Sequence, residues 1–498
     1  MRVAPITPVI TLALAAGVIT QASGAAFEPQ DFNVTAALEN IGVDVSALPE
    51  PKESDLSKRS LLAPCSLACT ALTILFGTDK VLSDGTSAYD SFTGSYWSAQ
   101  QGELNPSCVF KPAKTVDVST LVLIARLYQC PFAVKGGGHA AWAGASSIED
   151  GITVSMENFK QVQVSSNKQT VDIGPGLRWV DVYTAVEKDG LSVVGGRMAP
   201  VGVSGLILGG GISHFSNRLG WACDNVASFE LVTASGFAIT VSPTSYADLY
   251  WALRGGGNNF GIVTNFKLVA SPLGQMWGGQ RIYLEDTFTD ILNAINQFAN
   301  ITSIQDTTGL RNMSEMANLL NEGAPAPGAY QTWWGISLKM DRQFLQFILD
   351  TFYAQEATVA DVEKILLIMA IQPITEGVLK AMQKNNGNAL GLDPKNGPYF
   401  ILNFNAAWNN KEDEPKFHHV IATTIDLVKA EAKRRSLDNT FVYLNYASEY
   451  QDTIGSYGAA NKQRLITISN KYDPTQVFQY LQPGGFKLTK GAPNPNTP

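Results

Sequence analysis

Charge is scarce in this chain. Only 16% of its 498 residues are Asp, Glu, Lys or Arg, and 44 acidic residues outnumber 36 basic ones, a net charge of −8. There is no basic stripe to follow a phosphate backbone, so a nucleic-acid binder is excluded as a first reading. Histidine is scarcer still, with four in the chain, and the five cysteines fit no zinc-ligand spacing, so no metal site is expected. After the N-terminus no apolar run reaches the roughly 18 residues a membrane span needs. Internal repeats and long low-complexity segments are also missing. What is present is the 45% hydrophobic share of a globular protein and 44 glycines, clustered rather than periodic. Such a chain can bury a large core, and its length suggests two or three domains or one large two-lobed one.

Residues 1–25 read as a secretory signal peptide: Arg2, an apolar stretch from Ile6 to Ile19, then the small residues Ala22 to Ala25. The apolar stretch is short and interrupted by Pro8, which argues against a membrane anchor. Secretion permits disulfides. Cys65 and Cys69 share a helix face if their segment is helical. Four cysteines allow three pairings, and the sequence alone does not choose among them. The pairing adopted here is Cys69–Cys108 with Cys65–Cys130, leaving Cys223 a buried free thiol. Asn33, Asn300 and Asn312 head glycosylation triplets.

Residues 26–60 look like a loosely ordered lead-in. Helical spacing marks 61–77 and Thr115 to Tyr128, and Phe132 to Val134 reads as a short buried strand. Alternating patterns between 151 and 175 give further strands, and Val180 to Lys188 a helix closed by Gly190. Near 275 the glycine clusters stop. From 276 to 440 amphipathic helices (286–299, 342–353, 416–434) alternate with strands (278–283, 331–339, 399–407), which suggests a second domain. Glycine and aromatic character returns from 441 to 488, and 489–498 form a polar, Pro-rich tail expected to be disordered. The pair His418-His419 on an amphipathic helix is read as surface.

Three glycine clusters carry the chemistry. In the first, a strand runs into Lys135-Gly136-Gly137-Gly138-His139, a turn whose backbone can approach a ligand and offer N–H donors to a pyrophosphate. It fits neither the dinucleotide fingerprint nor the nucleoside-triphosphate loop. The second runs from Gly195 through Gly202, Gly205 and Gly209 to Gly211. The third, Arg254-Gly255-Gly256-Gly257-Asn258-Asn259-Phe260-Gly261-Ile262-Val263, leads into a strand. Any one of them is also what a plain structural turn looks like; three within about 130 residues say more.

With the later segments YLNYAS (443–448), NKQRL (461–465), KYDP (471–474) and PGGFKL (483–488), this series resembles the FAD-linked oxidoreductases of the vanillyl-alcohol oxidase/PCMH class, in their berberine-bridge-enzyme-like, fungal secreted branch. The resemblance covers roughly 65–275 and 441–488. It implies an α+β, two-lobed fold: an FAD-binding domain (61–275, completed by 441–488) and a substrate domain (276–440) with an antiparallel sheet covered by helices. It implies FAD held by Lys135, Gly136, Gly137, Gly138, Gly202, Gly205, Gly209, Gly261, Val263 and Asn461, with a histidyl bond from His139. Relatives with a second flavin link carry a cysteine a few residues before the segment that opens here at Val201-Gly202. Here Met198 stands there, so a single covalent bond is expected. Tyr446 corresponds to the family's catalytic base, with Asn445 beside it; no carboxylate lies on 399–407 to take that role.

The expected activity is a secreted oxidase. Hydride passes from a small, hydrophobic or aromatic natural-product intermediate to flavin N5, and dioxygen takes the electrons as hydrogen peroxide. Oligosaccharide oxidation and a dehydrogenase using another acceptor are the alternatives, and a non-catalytic flavin carrier is the reading from a different class. The expected partners are a small molecule and O2, with no nucleic acid and no membrane, and the expected state is a monomer.

Overall fold

The computed structural model describes residues 26–50, 62–282 and 305–496. The expected signal segment, the expected helix 286–299 and Asn300 lie outside the described residues. The architecture is α+β and two-lobed, as the resemblance implied, built on three main sheets.

The first sheet orders its strands Val81–Ser83, Cys108–Phe110, Ile152–Ser155, Phe132–Lys135. Cys108–Phe110 and Phe132–Lys135 both run parallel to Ile152–Ser155, so the chain between them must cross over. Helix Thr115–Tyr128 makes that crossing. It is buried along nearly its whole circumference, with Val118, Leu121, Val122 and Ile124 in the core. Gln129 ends it in a left-handed conformation, and Phe132 opens the next strand three residues later. Helix Leu62–Phe76 packs on the crossover helix and carries Cys65 and Cys69 on one face. The bonds are Cys65–Cys130 and Cys69–Cys108, the pairing adopted from the sequence. One ties that helix to the start of strand Cys108–Phe110, the other to the turn just before strand Phe132–Lys135. Loops of 65 and 39 residues close through them, on the order of 4 kcal/mol each in the chain-entropy account. Cys223 is the buried free thiol expected.

The described part of the lead-in, 26–50, is more ordered than its polar composition suggested. Helix Val34–Asn40, capped by the Asn33 side chain, packs Leu38 against the core beneath the crossover helix. Glu28 and Arg126 form a buried ion pair at 2.7 Å, and removing one partner of such a pair costs roughly 3–5 kcal/mol. Phe27 adds ring contacts with Tyr246 and Tyr472, and Tyr128 donates its hydroxyl to the Pro49 carbonyl, so a segment that reads as polar overall is docked at several points.

The second sheet is antiparallel, in the order Val162–Val164, Thr170–Ile173, Ile262–Pro272, Val226–Val232, Ala238–Val241. Its long central strand begins directly after the third glycine cluster. The third sheet orders Leu366–Ile374, Tyr399–Trp408, Tyr330–Lys339 and Asp438–Asn439, all antiparallel. Side chains alternate across it. Trp334, Ile336, Leu402, Phe404 and Trp408 pack against helices Arg342–Glu356 and Glu414–Arg434. Trp333, Gly335 and Gln372 point the other way, toward the first lobe. Strand Leu366–Ile374 escaped the sequence reading because its apolar run shows no alternation. It is an edge strand and ends at Pro373-Ile374, where a missing N–H is tolerated.

Two further expectations need correcting. His418 is not on the surface. It is 3% exposed, ringed by Trp334, Trp408 and Tyr450, while its neighbour His419 faces solvent. Adjacent helix positions point in different directions, and one of them here is core. The tail also lies on the protein: the Asn494 N–H donates to the Glu449 carbonyl at 2.8 Å.

Candidate functional site

All three glycine clusters, the 443–447 segment and the PGGF turn converge on one cavity of about 330 Å³. Its wall takes Gly136 to Trp142 from the first cluster, Arg197 to Ile212 in part from the second, and Gly257 to Val263 in part from the third. Trp333 comes from the third sheet, and Gln482, Gly485 and Phe486 from the C-terminal segment.

The glycines bring main chain against main chain. A Cβ on Gly137 would sit 2.5 Å from the Gly202 Cα, and one on Gly202 would sit 2.5 Å from the Gly137 nitrogen. Two turns can touch there only without side chains. Gly138 adds a left-handed φ of +68°. The N–H groups of Gly137, Gly138, His139, Ala140 and Ala141 donate to no described residue, which leaves a row of free donors on residues of the cavity wall. Gly205 differs from its neighbours: a Cβ there would meet open space. Gln482, also in the wall, has a buried Oε1 without a partner. Unbound main-chain donors, an orphaned acceptor and an open glycine face are what a long ligand with a phosphate-bearing middle would fill, so these residues fit FAD.

Of the residues expected from sequence, Gly136, Gly137, Gly138, His139, Gly202, Gly205, Gly209, Gly261, Val263, Asn445 and Tyr446 all line the cavity. Lys135 does not. Its Nζ is buried between the rings of Phe92 and Tyr96, 4.5 Å from each, and burial pushes its pKa down to about 8. Asn461 also lies outside the wall, donating from helix Ala459–Tyr472 to the Ala389 carbonyl at 3.3 Å. The Asn33 and Asn312 side chains stand at the N-caps of short helices.

His139 is half-buried. Burial pushes its pKa down to about 4, with the charge of Arg178 acting in the same direction, so the imidazole is neutral across the physiological range. Its ring stacks on Trp97 at 3.9 Å. Asn445 donates to the Leu206 carbonyl at 3.0 Å and to the Tyr443 hydroxyl at 2.9 Å. That hydroxyl also accepts the N–H groups of Gly211 and Ile212. Asn445 and Tyr443 therefore pin the second glycine cluster beneath Tyr446, whose ring lies 4.8 Å from that of Tyr443.

Arg197, unremarked in the sequence, completes the site. It donates to the Tyr446 hydroxyl at 2.6 Å and to Gln372 Oε1 at 2.5 Å. No carboxylate of the described residues lies within ion-pair distance of it. A cation among the glycines of an apolar segment was the available signal. Trp333 approaches Tyr446 at 5.8 Å and closes the sheet side of the cavity. The arrangement can hold a flat cofactor against main chain and present a hydroxyl backed by a cation to whatever lies between cofactor and sheet.

Comparison with known proteins agrees. The family described as FAD binding domain matches residues 106–242. The FAD-dependent monooxygenase tpcD of Cochliobolus heterostrophus is 32% identical, over 87% of this chain and 96% of its own. The FAD-dependent monooxygenase FUP4 of Fusarium proliferatum is 34% identical, over 79% and 87%. Among solved structures, wild-type BBE-like 1 of Physcomitrella patens superposes with a TM-score of 0.64 at 18% identity, covering 82% of this chain and 97% of that one. With the glycine-lined cavity and relatives this similar along nearly their whole length, the chain belongs to the berberine-bridge-enzyme-like family of FAD-linked oxidoreductases, within the vanillyl-alcohol oxidase/PCMH class, and is an FAD-dependent enzyme.

Proposed function

We propose that the protein is an oxidase with FAD held along this cavity, joined to the chain by one bond at His139. It acts on a small, hydrophobic or aromatic natural-product intermediate. The observation that carries the reading is the placement of Tyr446, with Arg197 on its hydroxyl, at the mouth between the glycine cradle and the third sheet. The bound cofactor would supply the hydride acceptor, with dioxygen receiving the electrons as hydrogen peroxide.

The chain's own residues divide the remaining work. The free N–H groups of 137–141 bind the pyrophosphate, and Gly202, Gly205, Gly209, Gly261 and Val263 admit the rest of the cofactor. Met198 lies in the wall where a second-link cysteine would stand, and a thioether cannot form that bond. Tyr446 takes the substrate proton. The Arg197 guanidinium stabilises the negative charge that this oxygen must carry before the proton arrives, and Gln372 fixes the guanidinium from the sheet. Trp333 excludes water on the substrate side.

The division into an FAD-binding domain (61–275 with 441–488) and a substrate domain (276–440) belongs to this proposal, as does passage through the secretory pathway. The two disulfides support the latter. Among the described residues no helix is long and apolar enough to cross a membrane.

Dithionite reduction followed by exposure to air tests the oxidase reading. Rapid return of the yellow colour with one hydrogen peroxide per flavin supports it; protein that stays reduced in air contradicts it. The relatives' name, monooxygenase, favours a second reading in which oxygen enters the product. Labelled dioxygen separates the two, since an oxidase leaves its product unlabelled.

A further inference from the structure

The imidazole of His139 is clamped by a residue that is not part of the cavity wall. The indole of Trp97 lies against it, with ring centroids 3.9 Å apart and planes 22° apart. Trp333 meets both rings edge-on, at 6.2 Å from His139 and 5.8 Å from Trp97. Trp97 is itself fixed on two sides. Its carbonyl accepts from the Gly328 N–H at 3.0 Å and from Gln331 Nε2 at 3.2 Å, and the Ala99 N–H donates to Ala329 at 2.8 Å. Ser98 Oγ and Gln101 Nε2 both donate to the carbonyl of Ala140, the residue after His139, at 3.1 and 2.7 Å. One short stretch thus holds the histidine's ring, its neighbouring peptide and the start of strand Tyr330–Lys339.

Bond formation at a histidine nitrogen needs a free lone pair and a fixed direction of attack. The three glycines before His139 supply no side-chain packing to set that direction. A flat aromatic face does, and it also keeps water off one side of the ring, which favours the neutral form.

We propose that Trp97 is a positioning residue for covalent attachment of the flavin to His139. The inference rests on the reading of His139 as the attachment point. Attachment replaces one C–H of the flavin's 8α-methyl group and the imidazole N–H by a C–N bond. The two hydrogens leave with two electrons and pass to dioxygen, which departs as hydrogen peroxide. Trp97 exchanges neither electrons nor protons; it holds the ring.

The test compares wild type, Trp97→Phe and Trp97→Leu as purified holoproteins. For each, total flavin per protein and melting temperature are measured, then the protein is precipitated in acid and flavin is counted in pellet and supernatant. Flavin fluorescence on a denaturing gel gives an independent count. Wild type and the Phe variant are expected to keep their flavin in the pellet. The Leu variant is expected to bind FAD in the native state but to release it in acid, a misaimed histidine slowing attachment roughly a hundredfold. Flavin in the Leu pellet at the wild-type level overturns the proposal. Equal release from both variants overturns it too, because stacking would not be what matters. So does loss of all FAD from both, which would make Trp97 a support of the cavity. Wild type that releases its flavin removes the attachment reading itself, and is told apart because no variant is needed to see it.

Discussion

The guanidinium of Arg197 donates to the hydroxyl of Tyr446 at 2.6 Å, although 249 positions separate them in the chain. Gln372, from a third part of the chain, holds the same guanidinium. If Tyr446 moves the proton, Tyr446→Phe lowers turnover by about 10²–10⁴-fold while the flavin stays bound. Arg197→Met keeps an unbranched apolar stem and loses the guanidinium with its charge. It is expected to lower the rate by roughly tenfold to a hundredfold without releasing flavin, a loss of about 1.4–2.7 kcal/mol of transition-state stabilisation. Stopped-flow reduction of the flavin reads both.

Gly205 offers a cleaner probe of the cofactor than its neighbours. Alanine at Gly137 would press on Gly202 main chain and disturb the protein whether or not a ligand is present. Alanine at Gly205 meets no protein atom within 4 Å and sits in a helical turn that favours it. Gly205→Ala should therefore leave the melting temperature of flavin-free protein at least as high as that of the wild type and lower the flavin-to-protein absorbance ratio. An unchanged ratio would place the cofactor elsewhere.

His418 sets an acid-stability prediction. Burial pushes its pKa down to about 4 from 6.5, and its Nε2 has no partner. Between those values the unfolded chain binds a proton that the folded chain refuses, so stability is full above about pH 7 and falls as pH drops. The loss reaches on the order of 3 kcal/mol near pH 4. His418→Phe suits the surrounding aromatic ring cluster and removes this contribution. Urea denaturation at pH 7.5 and 4.5 should show a smaller acid loss in the variant.

The glycine cradle was legible in the sequence because close main-chain contact leaves only one residue type that fits, and it does so in contiguous runs. The pairing of Cys65 and Cys69 was chosen among three options, and the i, i+4 spacing survives as one helix face with two exits. Arg197, Trp333, Gln372 and Trp97 were not legible in the same way. Each acts through a partner from another part of the chain, as Arg197 does with Gln372 across 175 positions, and no local period records such contacts. Lys135 and Asn461 show the opposite relation, lying off the cavity wall. A motif match placed them at the cofactor, but Lys135 turns its side chain under the turn and Asn461 caps a loop at Ala389. Helix Val34–Asn40 does not show in the composition of its segment because composition averages over a helix with one buried face.

The most direct test of the whole account is to denature the purified protein in acid and ask whether the yellow flavin precipitates with it, then to repeat this with His139→Ala. Wild-type flavin is expected to stay with the precipitate, and the variant is expected to release all of it. Flavin that remains with the variant would mean attachment elsewhere, and flavin released from the wild type would mean that His139 carries no bond.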